Sequence, residues 1–209
     1  MLNFFTNKLK RPSSQSGFSY IELVVIISIM GLLTGMIVVN FRQAEKRKAA
    51  ALAGDTVINA LRLTQNYTLG GKSIPSTATR VHNDTASTDC AAGSKAPSEY
   101  RIAFIGGSST YTIYATDKCN DIWQIEQGKL PPKTVVKANG IKVDITEHNE
   151  VQLMFTPPFA RMTIASSDDF SPAPTFNTFI ASEITVEYTD PAFFKVVRID
   201  AISGKIGEQ

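Results

Sequence analysis

The residue of this chain that points most directly to chemistry is Glu22, a carboxylate at the start of a long apolar run. From Phe18 to Val39 no other side chain is charged. An ionised carboxylate costs on the order of 2.5 to 3.5 kcal/mol at the centre of a membrane helix, and less near the interface. Glu22 therefore indicates a site where a cationic group must meet it; the alternative is a chance position at the membrane edge.

Side chains suited to catalysis are scarce. The chain has two histidines, His82 and His148, and no GxSxG, HExxH or P-loop pattern. His148 lies in the segment Glu147–Glu150, which could bind a cation but is more typical of a polar turn between strands. Asp168 and Asp169 indicate solvated loop charge rather than a calcium loop. We expect no catalytic set, no metal and no cofactor, and hence no enzyme.

Two cysteines, Cys90 and Cys119, are the other reactive side chains. Both fall in the part of the chain that we expect outside the cytoplasm, where disulfides persist. A bridge closing about 30 residues would stabilise the protein by roughly 3 to 4 kcal/mol. We predict the bridge; two unlinked thiols are the alternative.

The first 17 residues have the composition of a leader. They carry Lys8, Lys10 and Arg11 and no acidic residue, and the small polar stretch 12–17 precedes the apolar run. A standard secretory signal has its small residues after the apolar region. An ordinary signal peptide is therefore the weaker interpretation.

The apolar run is long enough to cross a membrane. As a helix, Phe18 to Val39 would span roughly 33 Å, against about 30 Å for a bilayer core. A buried helix of a soluble protein is the alternative. Basic residues flank the run on both sides, so their count does not fix its orientation.

Gly31 and Gly35 form a GxxxG pair within this run. The spacing permits close approach of a second helix in a membrane, although glycine is common in transmembrane helices. The pair is thus a candidate for helix packing.

The segment Gly17-Phe18-Ser19-Tyr20-Ile21-Glu22 resembles the processing motif of type IV prepilins, Gly-Phe-Thr/Ser-Leu-Ile/Leu-Glu, and departs from it at Tyr20. The resemblance implies cleavage after Gly17 by a prepilin peptidase on the cytoplasmic side. Phe18 would become the N-methylated N-terminus. Glu22 would serve assembly by pairing with the Phe18 amine of an adjacent subunit.

Beyond the apolar run, residues 41–70 continue as an amphipathic helix that Gly70 and Gly71 should end. Its buried face is predicted to contain Ala49, Ala53, Val57, Ala60, Leu61, Thr64 and Thr68. Its first turns carry a basic cluster that could contact anionic lipid or nucleic acid, although a solvated stem is the expected role: Arg42, Lys46, Arg47 and Lys48.

Residues 71–209 change to short β-branched and aromatic runs between polar turns, which is typical of strands. Strands are predicted at 100–104, 110–115, 122–126, 134–137, 142–145, 151–155, 161–165, 184–188 and 195–199, with loose segments at 73–97 and 166–178. This head has 13 basic and 16 acidic residues, a charge of −3 that disfavours nonspecific nucleic-acid binding.

The C-terminal third resembles minor pseudopilins of the H type of type II secretion and T-type fimbrial minor pilins. Those families have a Phe-x-Pro-x-Gly turn between strands and a final strand ending in Gly-Arg-Val. Here Phe155-Thr156-Pro157 precedes Phe159 and Ala160 near the glycine position, and Lys205 stands in place of the arginine of Gly-Arg-Val.

Together these patterns predict an α+β pilin fold: leader 1–17, transmembrane helix 18–40, amphipathic helix 41–70 and an antiparallel β head 71–209. We expect a single-pass inner-membrane protein with its head outside the cytoplasm that enters a pilus or pseudopilus with other pilin subunits. The alternatives are a DNA-binding minor pilin of an uptake filament and a membrane-anchored extracytoplasmic binding protein.

Overall fold

The computed structural model describes residues 17–82, 97–143, 146–167 and 181–208. It confirms the predicted α+β class, with one long N-terminal helix and two antiparallel sheets. The chain divides into two compact units between Gln43 and Ala44. Each unit is described by itself.

Helix α1 runs from Tyr20 to Leu69, and its start is defined by Ser19. The Ser19 carbonyl accepts hydrogen bonds from the N–H groups of Glu22 and Leu23, at 3.0 and 3.2 Å. The helix thus begins two residues after the predicted start at Phe18, because Gly17, Phe18 and Ser19 are not helical.

The C-terminus of α1 is closed by a Schellman motif at the two glycines that the sequence singles out. Gly71 has a φ of 59°, which glycine adopts without steric cost. The Lys72 N–H reaches back to the Tyr67 carbonyl and the Gly71 N–H to the Thr68 carbonyl, which satisfies carbonyls that the helix leaves open. The helix therefore ends at the predicted glycines, one residue before the predicted bound of residue 70.

This helix end is fixed to the head by tyrosines. The buried Tyr100 hydroxyl donates to the Lys72 carbonyl, and its ring lies 6.2 Å from that of Tyr67. Tyr67 in turn donates to Glu126 at 3.0 Å. Burial, aided by the neighbouring Tyr67, raises the pKa of Tyr100 to about 12, so its hydroxyl remains a donor at neutral pH.

Eleven strands are described, and they fall into two sheets. Their bounds are β1 Thr79–His82, β2 Pro97–Ile105, β3 Thr110–Asp117, β4 Ile122–Lys129, β5 Thr134–Val143, β6 Thr146–His148, β7 Glu150–Thr156, β8 Arg161–Ser167, β9 Ala181–Tyr188, β10 Phe194–Asp200 and β11 Lys205–Glu208. Sheet A has the order β1-β4-β3-β2-β7-β8, and sheet B the order β11-β10-β9-β5-β6. Every described pairing is antiparallel.

The structure corrects the strand prediction in several places, and it adds β6 and β11, which were not predicted. The segments 134–137 and 142–145 were predicted as two strands, but β5 is continuous to Val143 and carries an irregularity between Val136 and Ile141. Part of the predicted loose segment 73–97 forms β1, which pairs with β4. The predicted loose segment 166–178 begins within β8, which ends at Ser167. Residues 83–96 and 168–178 of the predicted loose segments, and residues 144–145 of the predicted strand, lie outside the described residues.

The second half of α1 supplies one face of the head's core. Ala53, Val57 and Leu61 are fully buried. They belong to one cluster with Phe104 of sheet A and Val197 of sheet B, so the core joins the helix to both sheets. Of the predicted buried face, Ala49 is half-buried and the other positions are buried.

We expect Leu61→Ala to lower the free energy of unfolding by about 2 to 5 kcal/mol, because it leaves a cavity where helix and sheets meet. Chemical unfolding of the full chain in detergent, followed by Trp123 fluorescence, would measure it. Leu52→Ala is the matched control on the same helix, since Leu52 is 45% exposed. It should cost about 0.5 kcal/mol or less. Equal losses for the two variants would contradict this packing.

A buried carboxylate lies on strand β7 of sheet A. Glu150 is 5% exposed, and its Oε1 accepts a 2.9 Å hydrogen bond from the Gln152 amide. Burial raises the pKa of Glu150, and the bond from Gln152 only partly opposes that shift. The folded protein thus favours the protonated form more than the unfolded chain does. The stabilisation that comes from protonated Glu150 is complete below the ordinary glutamate pKa. It is lost as pH rises through the raised pKa of Glu150 in the folded protein.

Glu150→Gln should therefore raise the free energy of unfolding at pH 7, and the gain should shrink as pH falls toward 4, where the parent's carboxyl is protonated. Urea unfolding at a series of pH values would measure the difference. Glu147→Gln changes an exposed carboxylate and is the matched control. A gain of the same size in the control, or a gain independent of pH, would show that burial of Glu150 is not its cause.

Candidate assembly site on the N-terminal helix

The predicted cleavage and assembly residues lie at the exposed start of α1. Phe18 is 75% exposed, and Glu22 is exposed in the first helical turn. Ser19 and Glu22 have the Ser-x-x-Glu spacing of a capping box. A carboxylate in the first turn is also favoured by the helix dipole. Glu22 thus suits the helix terminus on local grounds.

The local role does not satisfy the charge of Glu22 within a membrane. A helix dipole contributes about 0.3 to 1 kcal/mol to a carboxylate in the first turn. That is less than the cost of a charged side chain at the centre of a membrane helix, which is about 2.5 to 3.5 kcal/mol. This cost is smaller for a side chain near the membrane interface. Within the part of the chain that the structure describes, Glu22 has no ion-pair partner. Its position leaves the carboxylate accessible to a cation from another molecule.

The first unit offers an almost wholly apolar surface. Every residue from Gly17 to Glu45 is exposed, including Tyr20 at 84% and Leu32 at 71%. The most apolar 18-residue window of α1 has a mean hydropathy of 2.5, and none of it is buried. By length and composition the helix can span a membrane. So large an exposed apolar surface requires a bilayer or other helices to cover it.

The two hydroxyl side chains within this apolar window are also suited to a bilayer. The Ser28 and Thr34 hydroxyls donate to the carbonyls of Val24 and Met30, four residues earlier, at 2.8 and 2.7 Å. Their donors are thereby satisfied without water, as a hydrocarbon environment demands.

The glycine pair lies on the same helix. Gly31 and Gly35 are four residues apart, so they share one face. A Cβ built on either glycine meets no atom within 4 Å. Each backbone is therefore open to close approach by another helix, as predicted for a packing site; whether a helix approaches stays a prediction.

The four predicted basic residues have different surroundings. The Lys46 Nζ lies 2.8 Å from an Asp190 oxygen and 5.5 Å from the centre of the Phe193 ring. The Arg47 guanidinium lies 6.0 Å from the same ring. Arg42, in the first unit, and Lys48 are exposed. Two of the four thus contact the turn between β9 and β10 and are not purely solvated.

Asp190 is the acidic member of that turn. The hydrogen bond from Lys46 lowers the pKa of Asp190, and the backbone N–H of Ala192 adds to the effect. Asp190 is thus a carboxylate at neutral pH, paired with Lys46. No sequence signal links these two residues, because 144 positions separate them.

Cys119 is disulfide-bonded and lies in the turn between β3 and β4. The buried Asp117 carboxylate organises this turn, because it accepts hydrogen bonds from the Cys119 and Asp121 N–H groups and from the Trp123 indole. Cys90, the predicted partner, lies outside the described residues, so the pairing stays a prediction.

The remaining candidates for chemistry do not converge. His82 lies on β1 of sheet A and His148 on β6 of sheet B. His148 ends a short strand, and Asn149 links it to β7, so the predicted polar turn is reduced to one residue. Asp168 and Asp169 lie outside the described residues. Across residues 17–82, 97–143, 146–167 and 181–208, no group of three or more His, Cys, Asp or Glu could hold a metal.

The two segments that resemble the C-terminal pattern of minor pseudopilins, at Phe155–Ala160 and at Gly204-Lys205, lie at turns before strands. Residues 157–160 link β7 to β8, and Ala160 has a φ of 49°, a conformation that favours glycine. Phe159 is 87% exposed at this turn. Gly204, with a φ of 65°, precedes β11. The left-handed position thus lies at Ala160, one residue beyond the glycine of the Phe-x-Pro-x-Gly pattern.

A scan against protein-family models finds no match for this chain. Searches of curated proteins and of solved structures likewise find no similar protein. The structure by itself shows one long apolar N-terminal helix and an antiparallel β head, an arrangement compatible with a pilin-like fold.

Proposed function

We propose that this chain is a structural subunit, a minor pilin or pseudopilin, of a type IV pilus or a type II secretion-like filament. A prepilin peptidase removes the leader after Gly17, and Phe18 becomes the methylated N-terminus. The apolar helix holds the subunit in the inner membrane and then packs with the helices of other subunits. The head is displayed on the filament and performs no catalysis.

One observation carries the proposal: the carboxylate of Glu22 is exposed on an apolar helix without a cationic partner in the described chain. Cleavage after Gly17 would create an ammonium group four residues before it. Along one helix, that amine and the carboxylate would share a face. Between neighbouring subunits, their pairing would neutralise both charges within an apolar core.

The head supports an extracytoplasmic location. Cys119 is disulfide-bonded, and disulfides persist in oxidising compartments. If residues 44–209 lie outside the cytoplasm, the Gly17 end of the membrane helix lies on the cytoplasmic side, where the resemblance to prepilins places the peptidase.

The charges of the second unit do not favour DNA binding. Lys46 is neutralised by Asp190. Residues 71–209 carry a charge of −3. Nucleic-acid affinity depends mainly on several cations that neutralise phosphates.

Processing can be tested on protein purified from its native cells. Its intact mass should correspond to a chain that starts at methylated Phe18, whereas Gly17→Val should retain the leader. Ser16→Ala is the control and should be cut like the parent. A parent protein that still starts at Met1 would overturn the proposal.

Assembly depends on Glu22 if its carboxylate meets the Phe18 amine. Glu22→Ala should be cut normally but should enter filaments on the order of a hundred-fold less, because an ammonium group would be buried without its partner. Immunoblots of sheared filaments and of membranes would measure both effects. Glu45→Ala, an exposed carboxylate of the same helix, should assemble normally. Normal assembly of Glu22→Ala would exclude the pairing.

A further inference from the structure

We infer that the second unit docks on an anionic phospholipid surface through a cleft between α1 and the β9–β10 turn. The cleft has a volume of about 250 Å³. Its lining combines cations, aromatic rings and alanines: Arg47, Ala50, Ala51, Ala192, Phe193, Phe194 and Lys195. Its position within residues 44–209 makes it a feature of the head unit alone.

The charges of the cleft favour an anionic ligand. Arg47 and Lys195 contribute two cations to its lining. The acidic residue of the adjoining turn, Asp190, is already paired with Lys46 at 2.8 Å. Arg47, which is exposed, is therefore not neutralised by that carboxylate. Phosphate groups bear the charge that would complement them.

The apolar part of the lining favours a lipid over a free phosphate. Phe194 is 58% exposed, and three alanines adjoin the phenylalanines. Aromatic rings beside basic side chains are typical of segments that lie in the membrane interface, where rings enter the headgroup layer and cations meet lipid phosphates. A free phosphate would leave Phe194 in water.

The chain itself brings the cleft near a membrane. Arg47 is eight residues after Val39, the last residue of the apolar run. Eight residues reach at most about 28 Å even when fully extended. If the apolar run spans the bilayer, Arg47 must lie within that distance of its hydrocarbon edge. The inference therefore rests on the membrane insertion that the proposed function includes, but not on filament assembly.

The test uses the full chain in phospholipid nanodiscs, made of phosphatidylcholine alone or of phosphatidylcholine with phosphatidylglycerol. Amide hydrogen exchange of residues 189–194, apart from Pro191, which has no amide hydrogen, is the readout. We expect about five-fold slower exchange with phosphatidylglycerol, the effect of one basic residue at an anionic surface. Co-elution of the protein with nanodiscs reports insertion independently.

Matched variants separate docking from general charge and hydrophobicity. Arg47→Ala and Phe194→Ser should each abolish the protection. Arg161→Ala and Phe159→Ser change an exposed arginine and an exposed phenylalanine of the β7–β8 region and should retain it. Unchanged thermal unfolding of all four variants would show that the fold is intact.

Equal exchange in the two lipid compositions, with the protein inserted in both, would overturn the docking inference and leave the filament proposal intact. Failure to insert would overturn both. Protection by a single-stranded oligonucleotide in neutral nanodiscs would identify the cleft as a nucleic-acid site instead. Protection that disappears on dilution would identify a second copy of the chain as the occupant.

Discussion

A single carboxylate without a cation constrains the biology of this protein. Glu22 lies on a helix whose other side chains from Phe18 to Val39 are uncharged, and no described residue of the chain pairs with it. The helix dipole at the first turn of α1 reduces the cost of this charge but is too weak to offset a site within hydrocarbon. In a membrane, the described part of the chain would therefore leave the charge of Glu22 only partly compensated.

The two parts of α1 obtain their stability in different ways. Up to Gln43 the helix exposes large aliphatic side chains, which a bilayer or neighbouring helices can cover. From Ala50 onward its buried face consists mainly of small residues, with Val57, Ile58 and Leu61 as the larger ones. Small side chains let a helix approach a sheet closely, so α1 becomes part of the core of the head rather than an appendage. One continuous helix thus has an exposed apolar part and a part that is buried in the core of the head.

The sequence could predict the features that have local causes. Gly70 and Gly71 end the helix because Gly71 adopts a left-handed conformation, and alternating β-branched residues define β9 and β10. Features created by distant contacts escaped prediction. The short polar strand β6 forms by pairing with β5. The Ala138–Gly140 stretch has the composition of a turn but lies within β5.

The candidate site shows the same division. Gly17, Phe18 and Glu22 could be identified because their types and spacing lie within six consecutive residues. The Lys46–Asp190 pair and the adjoining aromatic turn could not, since they join segments far apart in the sequence. Glu150 was placed in a polar turn, because nothing in its neighbours reveals that sheet A buries it.

The shared core of helix and sheets decides where the protein can be shortened. A soluble version that omits the apolar run would have to begin before Ala50, the first buried residue of α1. Starting at Ala44 would also retain Lys46 and its bond to Asp190. A cut beyond Leu61 would strip the inner faces of both sheets of their cover, and the remaining β fragment would be prone to aggregate.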